Sequence, residues 1–275
     1  MPLLALPNEL LLIIAEHLRF AKDAASLLLT CRHLSLLLTP HLHHRATQPY
    51  SGLGALHWAS SRGHKPLIKL LILQKHFDIN APDALLGQPP LHHSISPRIS
   101  FTVPALLVSL GADVNYRTIS GRDALHVAIR HGHMQTAQML VEHGARVDTR
   151  DAGGHTVLYI AAYVASPGMV RFLLQRGTDV NMRNVDGRTA LHCVMLQGYS
   201  AGFNRNSVEL LGLLLKSGAD TGLRSDDGYT ARDIAVMRGL HRAVDILDSA
   251  RGPVAAATTA AAAVAAVERP GMLKV

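Results

Sequence analysis

The sequence predicts a mainly α-helical protein, an α-solenoid of stacked helix pairs preceded by a small three-helix domain. A leucine recurs at intervals of 33 to 35 residues, at Leu56, Leu91, Leu125, Leu158 and Leu191. Glycines recur in step with these leucines. Aromatic residues make up only 4% of the chain, so Leu, Ile, Val and Ala must fill the core, which suits short, closely packed helices. A fixed period of this length indicates a stacked repeat.

Each part of the repeated unit has a structural reason. The clearest copy reads G-R-D-A-L-H-V-A-I-R-H-G-H and then M-L-V-E-H-G-A-R-V-D, starting at Gly121. We expect the first glycine to take a positive φ in a tight turn. The A-L-H-V-A segment begins a thin first helix, and the following apolar segment is a second helix that Gly144 closes in the left-handed region. The D-V-N segments at 113–115 and 179–181 should then turn outward into hairpin loops.

This unit resembles the ankyrin repeat, since A-L-H and L-H-x-A recur at the right period with the right glycines. The resemblance covers about 200 residues and implies a repeat domain at 47–250 that binds other proteins and catalyses nothing. It implies six repeats, at 50–80, 84–117, 118–150, 151–183, 184–224 and 225–250.

Four repeats depart from the pattern. Pro97 should cut short the first helix of the second repeat. The fourth repeat has A-S-P at 165–167 in place of Gly-His. The fifth has extra residues at 198–206, which we expect between its two helices. In the last repeat, Arg232 and Asp233 replace the Leu-His pair, as expected of a terminal cap. Arg232 stands 41 residues after Leu191.

The first 46 residues predict three short helices with more leucine than they can bury alone. L-P-N-E-L-L-L-I-I-A-E-H-L, followed by D-A-A-S-L-L-L-T-C-R-H-L, resembles an F-box. The resemblance implies that residues 1–46 dock on the Skp-family adaptor of a cullin–RING ubiquitin ligase. The implied contacts are Leu6, Pro7, Glu9, Leu10, Ile13, Ile14, Leu18, Leu27, Cys31, Arg32 and Leu34. Leu34 stands where the F-box family often has Trp. The alternative to an F-box is that residues 1–46 form an irregular helical cap on the repeats.

Charge, cysteine content and hydrophobicity limit where the chain can be located and what it can bind. The net charge is +7, but Lys and Arg are scattered, which argues against a nucleic-acid partner. Two cysteines allow no disulfide framework and suit a reducing compartment. The N-terminus has no basic lead typical of a signal peptide, and no apolar run is long enough to span a membrane. We therefore expect a cytoplasmic or nuclear protein, monomeric, with no membrane contact.

No pattern in the sequence carries catalysis or binds a cofactor. Of the seventeen histidines, His57, His92, His126 and His192 are the motif histidine, which in this repeat type orients the turn by hydrogen bonds. The cluster at 41–44 lacks a partner at metal-ligand spacing. No nucleophile, paired acid or phosphate-binding loop is recognisable. We expect no enzyme activity, no cofactor and no metal.

The remaining function is a binding surface on the loops and first helices of the repeats. Its variable positions are Ser61, Arg62, Gln88, Ile119, Ser120, Arg122, Arg130, His131, His155, Tyr163, Asp186, Arg188, Asp226, Tyr229 and Arg238. Arg outnumbers Asp among them, and Arg pairs bidentately with carboxylate and phosphate. The hypothesis is an acidic or phosphorylated target, and the alternative is a solvated face. The Ala-rich segment 251–275 is expected to be a flexible tail or, alternatively, a capping helix.

Overall fold

A computed structural model describes residues 55–74, 77–201 and 203–251. The predicted F-box-like segment at 1–46, with all its implied adaptor contacts, lies outside the described residues, as does the Ala-rich segment after Arg251. The chain divides into two compact units, residues 1–146 and 147–275. The predicted domain boundaries stay predictions.

The described part of the N-terminal unit contains three helix pairs. The first helices of the pairs are α1 (Ala55–Arg62), α3 (Pro90–Ser94) and α5 (Ala124–Arg130). The second helices are α2 (Lys65–Lys69), which continues as a π-helical turn at Leu70–Gln74, α4 (Thr102–Ser109) and α6 (Met134–Glu142). α3 packs on both α1 and α5, and α4 packs on α6. First helices therefore stack on first helices, and second helices on second helices.

The described part of the C-terminal unit repeats this arrangement. Its first helices are α7 (Val157–Tyr163), α9 (Ala190–Ala201) and α11 (Ala231–Met237). Its second helices are α8 (Pro167–Gln175), α10 (Arg205–Lys216) and α12 (His241–Arg251). α9 packs on both α7 and α11, while α10 packs on α8 and α12.

The periodic leucines form the core of both units, as the sequence predicts. Their exposed fractions are at most 3%, at Leu56, Leu91, Leu125, Leu158 and Leu191. Burying a leucine side chain contributes about 1.5 to 3 kcal/mol. At Arg232, where the period ends, the side chain is instead held by Asp248, with Nε and Nη2 2.5 and 2.8 Å from the two carboxylate oxygens.

The glycines of the unit take the predicted positive φ. Those that precede the motif have φ of 63° to 83° at Gly87, Gly121, Gly154, Gly187 and Gly228. Those that close the second helix have φ of 81° to 95° at Gly111, Gly144, Gly177 and Gly218. Gly154 is needed for space as well, because a Cβ there would lie 2.8 Å from the backbone nitrogen of Val185.

Two local expectations need correction, and one is met. The extra residues of the fifth repeat do not form one loop, since 198–201 continue α9 and 205–206 begin α10, where the side chain of Asn204 accepts from the backbone N–H of Ser207. The expected hairpin loops contain no strand in the described ranges; isolated bridges join Arg150 to Thr156 and Arg224 to Thr230. α3 ends before Pro97, as expected.

Candidate protein-binding surfaces

A tight loop, closed by one backbone hydrogen bond over four residues, precedes the first helices α5, α7, α9 and α11. Thr118 N donates to Arg122 O at 2.9 Å, and Asn184 N donates to Arg188 O at 2.9 Å. The side chain of the first loop residue stays buried and holds the turn: Asn184 Oδ1 accepts from the backbone N–H groups of Asp186 and Arg188, at 3.0 and 2.8 Å.

This buried polar position was not predicted from the sequence. The sequence does mark it, because a polar residue stands three positions before most of the motif glycines, at Thr118, Asp151, Asn184 and Ser225. These four residues and Asp83, which begins the loop of the second repeat, are buried, with exposed fractions of 4 to 8%. Side chains of these types replace backbone partners in turns. They fix the loops that present the exposed positions beside them.

The residues next to these buried anchors point into solvent. Ile119 is 80% exposed and Val185 is 64% exposed, each directly after a buried polar residue. Leu85 and Leu86 are 69% and 57% exposed in the corresponding loop of the second repeat. Large apolar side chains held in solvent on rigid loops are typical of interaction sites.

The motif histidines tie the first helix of one repeat to the loop of the next. Nε2 of His57 donates to Ala81 O at 2.8 Å, that of His92 to Arg122 O at 3.3 Å, and that of His192 to Tyr229 O at 3.2 Å. Burial lowers the pKa of all three, that of His92 to about 4. These histidines are therefore neutral structural donors at pH 7.

In the N-terminal unit the structure brings four of the predicted surface positions together. Gln88, Arg122, Arg130 and His131 line a cavity of about 300 Å³ between α3 and α5, together with His92 and His93. Arg130 and His131 are exposed, whereas Gln88 and Arg122 are half-buried. The other predicted positions in this unit do not line that cavity: Arg62, Ile119 and Ser120 are exposed, and Ser61 is half-buried.

In the C-terminal unit, two predicted arginines are already engaged by the protein. Arg188 Nη2 lies 2.8 Å from Asp227 Oδ2, and Arg238 Nη1 donates to Leu196 O. Asp226, also a predicted contact, lies 3.3 Å from Arg183. The Arg183–Asp226 pair is exposed on both sides and contributes little stability, so a partner can compete for it.

The remaining predicted positions of this unit are aromatic or acidic. Tyr163 is 59% exposed and Asp186 is exposed, whereas Tyr229 is half-buried. His155 is half-buried, with its ring centroid 5.0 Å from that of Tyr159 and its Nδ1 3.0 Å from Asp151 Oδ1. Tyr163 thus offers the largest accessible apolar surface of the four predicted positions.

Over the ranges that the structure describes, no three His, Cys, Asp or Glu side chains are grouped as metal ligands would be. Within the same ranges, no helix is long and apolar enough to cross a bilayer. Cys193 is buried, and burial raises the pKa of its thiol to about 12.

Stacked helix pairs with protruding, apolar-tipped loops define the class of repeat proteins that bind through their loops and first helices. The chain belongs to the ankyrin-repeat family. The family model for three ankyrin repeats matches residues 22–118 and 100–184, and the model for a single ankyrin repeat matches residues 186–226. The first match begins inside the segment predicted to be F-box-like.

Proteins similar to the chain are known from both solved structures and curated sequences. The crystal structure of an ankyrin repeat domain from Acinetobacter baumannii is 29% identical with a TM-score of 0.65, over 72% of this chain and 98% of that one. The mouse B-cell lymphoma 3 protein homolog is 40% identical over 83 residues, which are 30% of this chain and 18% of that protein. This chain therefore spans only a small part of that relative.

Proposed function

We propose that this ankyrin-repeat protein is a non-catalytic substrate receptor of a Skp–cullin–F-box type ubiquitin ligase. Residues 1–46 dock on the Skp-family adaptor, and the repeats capture a target protein. The observation that carries the proposal is the pairing of L-P-N-E-L with the later C-R-H-L within the first 46 residues. The receptor acts by raising the local concentration of its target near the transferring enzyme.

The repeats supply the target-binding half of the proposal. Their loops hold Ile119 and Val185 in solvent, and Arg130 stands exposed at the end of a first helix. Arginine is enriched among the residues that supply most of the energy of a binding surface, and exposed apolar side chains mark interaction sites. An acidic or phosphorylated target fits the cationic positions of the N-terminal unit. The proposal places the receptor in the cytoplasm or nucleus, where its partners would be found.

Co-purification of the full chain with a Skp-family adaptor tests the proposal. We expect the wild type to retain the adaptor and the double variant Leu6→Ala/Pro7→Ala to lose it. Pro2→Ala/Leu3→Ala is the matched control, because it removes the same residue types just outside the pattern and should retain the adaptor. Equal retention by both double variants would refute the assigned contacts.

A second candidate is an ankyrin scaffold whose N-terminal helices only cap the repeat stack. The start of the family match at residue 22 favours it, because residues 22–46 then read as part of the repeats. The two candidates differ in the adaptor experiment. A folded wild-type chain that captures no adaptor supports the scaffold.

A further inference from the structure

The cavity between α3 and α5 is lined by two arginines, Arg122 and Arg130, and none of its lining residues carries a carboxylate. Every ionisable side chain that lines it is Arg or His: His92, His93, Arg122, Arg130 and His131. The nearby carboxylate of Asp83 does not line it. Asp83 is 2.7 Å from His93 and accepts the backbone N–H of Leu86 at 2.6 Å, and its side chain is only 3% exposed. A concave site lined by one sign of charge concentrates ligands of the other sign.

Arg130 is the group most available to a ligand. It lies on the last turn of α5, is exposed, and has no ion-pair partner among the described residues. His131 follows it, and burial, with smaller contributions from His133 and Arg130, lowers the pKa of His131. Arg130 therefore carries the positive charge at this end of the cavity, and an anion bound there would pair with it.

An apolar side chain marks one edge of the same cavity. Ile119 is bonded to Thr118, which lines the cavity, and is 80% exposed. A Cβ on Gly87 would lie only 2.9 Å from Cγ1 of Ile119, so the Ile119 side chain packs against Gly87. Gly87 directly precedes Gln88, which lines the cavity. Gly87 thus leaves room for Ile119 in this position. Leu86, 57% exposed, extends the apolar edge.

We infer that this cavity anchors the target through an anionic side chain bound by Arg130, next to a bulky apolar side chain packed on Ile119. The inference rests on the proposed function and names where the target binds and which residue types it must offer. The occupant is an extended peptide segment, because a cavity of about 300 Å³ takes one or two side chains and no larger element. The anion is a carboxylate or a phosphoryl group.

Selection of random twelve-residue peptides displayed on phage, against the immobilised full chain, tests this assignment. Wild type should select peptides in which Asp or Glu accompanies a bulky apolar residue. Arg130→Glu should lose the acidic preference, and Ile119→Ser should lose only the apolar one. Arg98→Glu is the matched control, because it makes the same charge change at an exposed residue that does not line the cavity. Circular dichroism confirms that each variant is folded.

Synthetic versions of a selected peptide then separate the two anions. We expect Arg130→Glu to weaken binding of the Glu peptide at least tenfold, and Arg98→Glu to weaken it less than twofold. If the phosphoserine version binds tenfold more tightly than the Glu version, the natural anion is a phosphoryl group. If it does not, the natural anion is a carboxylate.

Three results would overturn the inference: no peptide consensus, a consensus without acidic residues, or equal weakening by Arg130→Glu and Arg98→Glu. Peptides that bind wild type and Arg130→Glu alike would leave a binding protein whose target contacts lie elsewhere. Adaptor capture uses residues 1–46 and is measured separately, so failure of the cavity and failure of the receptor role give different results.

Discussion

At the scale of single residues, the second repeat lacks one hydrogen bond that the third and fifth repeats make. His192 Nδ1 lies 2.9 Å from Thr189 Oγ1, and His126 Nδ1 lies 2.9 Å from Asp123 Oδ1. The residue three positions before His92 is Pro89, and Nδ1 of His92 is buried without a partner. An unsatisfied buried polar atom costs about 1 to 3 kcal/mol.

Pro89→Thr should therefore stabilise the protein. The new hydroxyl can donate to Nδ1 of His92, as Thr189 does for His192. Loss of the proline restriction on the unfolded chain offsets part of the gain, so we expect a net increase of about 1 kcal/mol in the free energy of unfolding, measured by urea denaturation. Pro89→Val has a similar shape without the hydroxyl, and a gain as large as that of Thr would contradict the hydrogen-bond explanation.

His92 also predicts a pH dependence of stability. Burial lowers its pKa from 6.5 to about 4 in the folded protein. Between these values the unfolded chain binds a proton that the folded chain does not, so stability is fully present above pH 6.5 and falls as the pH drops toward 4. His57 and His192 act in the same direction.

We expect wild type to lose about 2 kcal/mol of stability from His92 alone between pH 7 and pH 5. His92→Gln keeps a donor for the carbonyl of Arg122 but has no titratable ring. Urea denaturation at both pH values should give the variant a smaller loss than wild type. Parallel losses would show that His92 is not the source.

Ala165 predicts a second stabilising substitution. It has φ of 55°, whereas the equivalent turns use Gly63, Gly132 and Gly239 with φ of 66° to 75°. An L-residue in this region costs about 1 to 2 kcal/mol. Ala165→Gly should raise the thermal midpoint, and Gly239→Ala, which meets no atom within 4 Å of the new Cβ, should lower it. A fall in the midpoint with Ala165→Gly would contradict this assignment of strain.

At the scale of elements, the asparagine of each D-V-N segment joins successive loops. Asn115 Nδ2 donates to Gly144 O at 3.0 Å, and its Oδ1 accepts from Arg146 N at 3.0 Å. Asn181 makes the equivalent bonds to Gly218 O and Asp220 N, at 3.1 and 2.8 Å. The sequence suggested only outward turns here, because a bond to the next repeat leaves no mark in the local pattern.

Removing one of these links should weaken the contact between adjacent repeats. Asn181→Ala loses both bonds, and we expect a loss of about 1 to 2 kcal/mol in the free energy of unfolding. Asn181→Asp keeps an acceptor for Asp220 N but brings a carboxylate oxygen to the carbonyl of Gly218, so it should also destabilise. An Asp variant as stable as wild type would mean that the donor bond contributes nothing.

Some features of the helices and loops could be predicted from the sequence, and others could not. The buried leucines and positive-φ glycines follow from the period, because hard constraints of packing and backbone sterics repeat with it. The extra residues at 198–206 were expected between the two helices, but α9 extends to Ala201 and α10 begins at Arg205. Helix packing overrides weak local preferences of the sequence.

At the scale of the whole molecule, the candidate site was predictable in its residue types and not in its geometry. Arg122, Arg130 and His131 stood out as variable positions and do share one cavity. Arg188 looked equivalent, but its pairing with Asp227 depends on a loop 39 residues away. A repeat period assigns a position to a surface without revealing which neighbours neutralise it.

The central claim is that one chain carries an adaptor-binding segment and a separate target-binding surface. Calorimetric titration of the full chain with a purified Skp-family adaptor tests it most directly. We expect one adaptor to bind per chain, with binding lost in Leu6→Ala/Pro7→Ala and unchanged in Arg130→Glu. No binding by a wild-type chain whose circular dichroism shows folded helices would contradict the receptor role and leave an ankyrin scaffold.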